Sequence, residues 1–377
     1  MDMPRQMSLA KRLLEYAQKG STTLAPAVLE VPVERYLDPQ LWNQEVETLF
    51  KRLPIVAALS CELPKPGAYI AQTIVGVPLL LTREDQGRVN AFLNVCTHRG
   101  AKVVAERGCG GAANRFSCPY HGWTFDNAGK LIGLPDSGLF GDIDKSNHGF
   151  TRLQADERLG MVFVILTPGV SVDIDEYLGE IVEHFGEHGD NLSFAGTRTV
   201  KGGNWKLVVE GHLESYHFST LHRSSIGPWM MNNCAASDRF GRHQLITFCA
   251  KSIRDLADKP QDQWRPVDDN HIQPQYHFFP GTLVTQFKNA MLVQMVRPGA
   301  TPGEATNRLV FGQGPTLDQE APKLDEVAQL VEVEDYSLSY GILQGMKSGA
   351  RKAIEFGKNE PSIQHFHESL KQHLVTA

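Results

Sequence analysis

Cysteine is scarce in this chain: Cys61, Cys96, Cys109, Cys118, Cys234 and Cys249 are all there are in 377 residues. That is too few to staple so long a fold with disulfides, and it fits a cytoplasmic chain that keeps cysteines as thiols or metal ligands. Long apolar runs are also missing. The longest, Gly160 to Leu166 and Ile74 to Leu81, are strand-length, far from the roughly 18 residues that cross a bilayer. The N-terminal stretch is broken by Arg5, Lys11, Arg12 and Glu15, so it has no uninterrupted apolar core of a secretory signal. Leu9, Leu13, Leu14 and Ala17 recur there at helical spacing and predict a docking helix. Positive charge is not in excess: 37 Lys and Arg against 43 Asp and Glu leave a net charge of −6, which excludes the basic footprint of a nucleic-acid binder. No Gly-x-Gly-x-x-Gly follows a strand-like run, so no dinucleotide-binding domain is expected. Repeats and low-complexity tracts are absent. What remains is the composition of a soluble globular chain, 41% hydrophobic and 21% charged, with neither membrane nor nucleic acid as partner.

Length predicts more than one domain. Residues 1–40 read as a helix and a proline-containing extension (Ala25-Pro26, Val31-Pro32, Asp38-Pro39) that pack on the later domain. Residues 41–166 open with a helical pattern, Leu41 to Arg52, and then change to short strands such as Ala68 to Val75 and Val89 to Val95, broken by Pro64-Lys65-Pro66-Gly67 and Gln86-Gly87. Evenly spaced short strands with such turns predict an antiparallel all-β domain. Residues 167–377 start with an acidic connection and continue with alternating runs: Gln244 to Ala250, Gln275 to Phe279, Thr282 to Phe287, Ala290 to Arg297 and Asn307 to Gly312. Helical patterns at Leu324 to Gly349 and Ile363 to Leu374 flank them, so this half is expected to be α+β.

Two short loops carry the chemistry of the first half. Cys96-Thr97-His98-Arg99-Gly100 and Cys118-Pro119-Tyr120-His121-Gly122-Trp123 each follow a strand-like run, and each supplies one thiol and one imidazole. Two cysteines and two histidines fit a structural zinc. They also fit a [2Fe–2S] centre in which histidines hold one of the irons. A zinc finger pairs Cys with Cys and His with His, whereas each loop here pairs Cys with His, and that favours the second. Gly100, Gly122 and Pro119 suit loops whose N–H groups approach cluster sulfurs. Cys109 could be a spare ligand but reads as a buried free thiol, because the four loop residues complete a set, and Cys61, Cys234 and Cys249 read as core thiols with no partner at metal spacing.

The second half is organised around Asn204 to His222. His217 and His222 are five residues apart, with Glu214 one helical turn earlier. Two imidazoles and a carboxylate are the ligand set of an oxygen-activating ferrous site. On a straight helix residues five apart point roughly 140° from each other, so the second histidine is expected on a bulged or ended helix. Ordinary core and surface histidines are the alternative.

Together these residues resemble the α-subunits of Rieske non-haem iron aromatic-ring-hydroxylating oxygenases. The likeness extends over Leu41-Trp42 to Phe50, Glu62 to Tyr69, both Cys–His loops, Asn204-Trp205-Lys206, Glu210, Glu214, Tyr216-His217, His222, Glu334-Asp335, Gln344-Gly345 and the Phe356-Gly357 to His367 tail. It implies an N-terminal Rieske [2Fe–2S] domain and a C-terminal catalytic domain of helix-grip type. Cys96, His98, Cys118 and His121 would hold the cluster, and His217, His222 and Asp335 one Fe(II), with Glu332 and Glu334 close enough to Asp335 to compete. Glu214 stands where most members have the aspartate that bridges the two metal centres; some amine-demethylating members have glutamate there. The resemblance also implies O2 as co-substrate, a separate reductase fed by NAD(P)H, acting directly or through a ferredoxin, and a homotrimer. In such a trimer His121, Glu214 and His217 would join cluster to iron across a subunit boundary. Ile226, Trp229, Met230, Met231, Phe248, Phe278, Phe279 and Phe287 are candidate pocket residues for an aromatic compound or a methylated amine, or else plain core. The rival from another class is a Rieske electron-transfer or redox-sensing protein with a ligand-binding domain; a zinc-stabilised binding module is the third.

Overall fold

The computed structural model describes residues 1–315 and 324–375, apart from the side chains of residues 107–110, Leu324 and Val375. The reading of Cys109 as a free thiol lies outside the described residues. The chain forms two compact units, Phe50–Tyr177 and Met1–Leu49 with Leu178–Ala377. These limits differ from the breaks expected after residues 40 and 166. The helix Pro39–Glu45 belongs to the larger unit because its last residue, Glu45, accepts hydrogen bonds from Lys206 Nζ and Trp205 Nε1. Residues 167–177 fold back on the smaller unit. The Gln154 side chain holds both the N–H and the C=O of Val172, and Arg158 pairs with Asp175 at 2.8 Å.

The smaller unit is all-β. Its strands Val89–Leu93, Val77–Arg83 and Ala68–Ile74 run antiparallel at the centre of a five-stranded sheet. A second sheet joins Ala155–Arg158, Met161–Val164 and Ile55–Leu59, and a third is the meander Arg115–Ser117, Thr124–Asp126, Leu131–Gly133. Leu80, Phe92, Phe125, Phe150 and Trp123 build a core that also buries Cys96 and Cys118. The two Cys–His loops therefore spring from packed β-structure.

Apart from a two-stranded sheet of Leu29–Pro32 and Ala353–Phe356, the larger unit is built on a seven-stranded antiparallel sheet. Its strands are β1 (Ser193–Gly202), β2 (Met230–Phe240), β3 (His243–Ala250), β4 (Ile272–Phe278), β5 (Thr282–Phe287), β6 (Ala290–Pro298) and β7 (Ala305–Gln313), in the order β1-β7-β6-β5-β4-β3-β2. Register pairs Phe248 with Gln273, Gln275 with Thr285, and Leu292 with both Thr285 and Phe311. Alternation along strands then puts these side chains on one face and Cys249, Tyr276 and Phe278 on the other. Helix α1 (Met3–Lys19) packs on β2 through Leu9, Leu13 and Ala17; Asp2 caps its start and Gly20, at φ +62°, ends it. The helix α2 (Trp205–Gly211) is capped by the Asn204 side chain on the Lys206 N–H at 2.9 Å. Leu324–Leu330 and Ser337–Lys347 are α-helical as expected, but Val331–Tyr336 between them is a wider π turn. Among the described residues no helix is long and apolar enough to cross a membrane.

Candidate active site

The two Cys–His loops are built alike. In each, the glycine N–H four residues on donates to the cysteine carbonyl: Gly100 to Cys96 at 2.9 Å, and Gly122 to Cys118 at 3.0 Å. In each, the cysteine N–H donates onward, to Ala101 O at 2.8 Å and to Trp123 O at 2.7 Å. The turns close only because Gly100 and Gly122 take φ of +76° and +71°, a region where a Cβ is strained. Cys96 and Cys118 are buried and their thiols interact. The His98 and His121 rings lie 4.7 Å apart; His98 stacks on Trp123 and His121 on Tyr120. Two sulfurs inside and two imidazoles at the rim suit an iron–sulfur cluster ligated by sulfur at one iron and by nitrogen at the other.

In the larger unit α2 ends at Gly211, so His217 and His222 occupy turns beyond it, as their spacing requires. Thr220 and Leu221 N–H donate to His217 O, and Gly227 N–H donates to His222 O at 2.9 Å. Gly227 has no alternative, because a Cβ there would stand 2.7 Å from His222 O and 2.9 Å from Phe218 O. His217 Nε2 and His222 Nε2 are 3.2 Å apart, and Asp335 Oδ1 lies 3.7 Å from the first and 3.2 Å from the second. Three donors on one octahedral face of a shared ion, each about 2.1 Å from it, stand about 3 Å apart.

The outer nitrogens decide what faces inward. His217 Nδ1 donates to Glu214 Oε1, and His222 Nδ1 donates to Glu334 Oε2. With Nδ1 held by a carboxylate on both rings, each Nε2 faces the other and the Asp335 carboxylate, where a shared cation is attracted. Burial lowers the His222 pKa, but the Asp335 and Glu334 carboxylates outweigh it and the net shift is upward. Glu214 also accepts the Tyr216 and His217 backbone N–H groups through Oε2. Glu332 points away and pairs with Arg198 at 3.2 Å.

Beside the triad opens a cavity of about 490 Å³, lined by His217, His222 and Asp335. Of the expected pocket residues, Ile226, Trp229, Met230, Phe248 and Phe287 line it. Met231, Phe278 and Phe279 do not: Phe278 sits on the opposite sheet face against Phe185, Met231 meets Cys249 Sγ, and Phe279 packs near His373. Strand parity marks Phe278 as outward once its register is known. Sequence reading missed His212, Phe218, Gln275 and Gln294 in the lining and Ser225 behind His222, and it had Glu334 only as a rival ligand to Asp335. The period-2 pattern of β4 and β6 contained Gln275 and Gln294, but neither residue type announces a pocket.

Residues 190–376 match the family model described as ring hydroxylating alpha subunit (catalytic domain), and residues 54–140 match that of the Rieske [2Fe-2S] domain. The anthranilate 1,2-dioxygenase large subunit of Burkholderia cepacia is 28% identical over 306 residues, 71% of this chain and 71% of that one. The glycine betaine monooxygenase oxygenase subunit of Pseudomonas aeruginosa is 31% identical over 229 residues, 59% of this chain and 52% of its own, so the match spans about half of that relative. Among solved structures, the quaternary ammonium Rieske monooxygenase CntA with L-carnitine superimposes with a TM-score of 0.77 at 21% identity, over 97% of this chain and 98% of that one. Naphthalene 1,2-dioxygenase from Rhodococcus sp. gives 0.73 at 18% identity, over 98% of each. At these identities the superpositions establish the fold.

Proposed function

We propose a function from the family to which this chain belongs, the α-subunits of Rieske non-haem iron ring-hydroxylating oxygenases: it is a terminal oxygenase that uses O2 to hydroxylate, dihydroxylate or demethylate a small organic substrate. Cys96, Cys118, His98 and His121 would hold a [2Fe–2S] cluster, and His217, His222 and Asp335 one Fe(II). When bound, the cluster supplies single electrons and the ferrous ion supplies open positions for O2. The observation that carries the reading is the convergence of two imidazole nitrogens and one carboxylate oxygen within 3.7 Å at the wall of a cavity. A pure electron carrier or redox sensor has no use for that triad.

The chain's own residues do the rest. Glu214 holds the proton on His217 Nδ1 and Glu334 the one on His222 Nδ1, fixing tautomer and ring orientation. Phe218, Phe248 and Leu292 give the cavity apolar walls that exclude water. The relatives' names span aromatic acids (anthranilate) and methylated amines (glycine betaine), and both remain within the proposal. Electrons would come from an NAD(P)H-dependent reductase, directly or through a ferredoxin. One solved structure of a quaternary ammonium Rieske monooxygenase is described as giving insights into inter-subunit electron transfer. By the resemblance to the family the chain would work as a homotrimer in which Glu214 links His217 to His121 of a neighbouring copy.

Purified protein is expected to be coloured, to hold more iron than acid-labile sulfide, and to consume O2 with substrate and a surrogate reductase. Replacing His217 and His222 by alanine should remove the excess iron and the O2 uptake while leaving the cluster spectrum. Glu214→Gln should keep both metals and lose turnover. Colourless, sulfide-free protein sinks the oxygenase reading, and full activity in Glu214→Gln sinks the bridge.

A further inference from the structure

One polar group in the cavity wall is oriented with no partner among the described residues to receive it. His212 follows the last turn of α2 and lines the cavity, and its backbone carbonyl is tied by Gln275 Nε2 at 2.5 Å. Its ring Nε2 lies 3.5 Å from the Tyr336 hydroxyl. That hydroxyl already accepts a hydrogen bond from Asn307 Nδ2 at 2.5 Å, and the same amide donates to Gln294 Oε1 at 2.9 Å. The hydroxyl's own proton is thus left for His212. Tyr336 donating into Nε2 makes the neutral ring the Nδ1–H tautomer. Burial pushes the His212 pKa down to about 4, so the ring stays neutral near pH 7.

Among the described residues Nδ1 has no hydrogen-bond partner, and it is not one of the atoms sealed from solvent. Its N–H is therefore accessible, on a residue that lines the cavity. The ring is also within electrostatic reach of Asp335, His217 and His222, so a molecule gripped there lies beside the triad. The chain Gln294–Asn307–Tyr336 that orients the ring is buried along its length, which gives the donor a fixed direction.

We propose that His212 determines specificity: its Nδ1–H donates to an oxygen acceptor of the substrate, a carboxylate or carbonyl, and selects acceptor-bearing molecules over hydrocarbons of the same shape. This deepens the oxygenase reading and rests on it. An apolar pocket alone separates molecules of equal size poorly, whereas a site with a dedicated hydrogen-bonding group rejects the analogue that cannot answer it.

The test is anaerobic calorimetric binding to the iron-loaded holoenzyme, with no reductase present. Matched probes are benzoate against toluene, and glycine betaine against tetramethylammonium, with aniline as the donor-bearing control. In at least one pair the carboxylate should bind tenfold or more tighter than its oxygen-free partner. His212→Phe should shrink that preference to twofold or less with iron content unchanged. His212→Asn, which keeps an N–H near the Nδ1 position, should restore part of it. Absence of the preference in both pairs, its survival in His212→Phe, or tighter binding of aniline than of benzoate would overturn the assignment. Iron, sulfide and O2 uptake measured on the same preparation report separately on the oxygenase reading, which can stand while this assignment fails.

Discussion

Glu334 Oε2 lies 2.5 Å from His222 Nδ1 and on the same oxygen accepts the Ser225 hydroxyl at 2.7 Å. Asp335, the next residue, turns its carboxylate to the other nitrogens of the same histidine pair. Adjacent residues on a regular helix diverge by roughly 100° at 3.6 residues per turn. The π turn Val331–Tyr336 widens the helix here, so both acids reach one imidazole from its two sides. Single π turns of this kind recur at functional sites.

The two acids should therefore fail differently. Asp335→Asn removes a charged donor and is expected to abolish retention of the mononuclear iron. Glu334→Gln keeps the fold and the three donors but weakens the hold on the His222 proton, and is expected to lower iron affinity about 10- to 100-fold. Competition with a graded chelator, read by metal analysis, checks both. Equal iron retention in wild type and Glu334→Gln would assign Glu334 no part in the site.

Much of this centre was legible before the structure because its residues announce themselves. A Cys-x-His turn after a strand needs no long-range contact to be recognised. The spacing of His217 and His222 already required the helix to have ended, and α2 stops at Gly211. Glu334 was visible only as one of three neighbouring acids, since which of them meets a histidine depends on the π turn and not on local propensity. Three of the lining candidates lie elsewhere for a related reason. Phe278 and Phe248 are equally apolar, and only the register of β3 against β4 sends one to the cavity and the other behind the sheet. The break after residue 49 was hidden because the contacts that tie Pro39–Glu45 to the larger unit, Glu45 with Lys206 and Trp205 and Gln44 with Leu374, are distant in sequence.

The Glu45–Lys206 pair sets a prediction for stability. Glu45 and Lys206 side chains are 1% and 2% exposed, and the ammonium meets both carboxylate oxygens at 2.8 and 2.7 Å. Trp205 Nε1 donates to the same carboxylate at 2.9 Å. Burial pulls the Lys206 pKa down and Glu45 holds it up, with burial the larger influence. Glu45→Ala leaves the ammonium alone inside and is expected to destabilise the larger unit by about 3–5 kcal/mol. Glu45→Ala with Lys206→Met should recover most of the loss. Urea unfolding followed by tryptophan fluorescence measures both, and an unshifted midpoint in Glu45→Ala would rule the pair out as a structural anchor.

Acid sensitivity should trace to buried histidines. His277 is fully buried on β4; its Nε2–H donates to the Pro280 carbonyl at 3.0 Å and its Nδ1 accepts from Gln244 Nε2 at 3.3 Å. Burial pushes its pKa down to about 4 from an ordinary 6.5. A depressed folded pKa means that the unfolded chain takes up the proton first. The contribution of the neutral ring is therefore complete above about pH 6.5 and is lost as pH falls toward 4, at about 1.4 kcal/mol per pH unit for each proton taken up on unfolding. Burial shifts His188, His271 and His365 in the same direction, so the slope will be shared. His277→Gln keeps a side-chain amide in place of the ring and should reduce the slope between pH 6.5 and 4 by about one proton's worth. Urea midpoints measured across that range give the slope directly, and a variant with the wild-type slope would show that His277 does not titrate on unfolding.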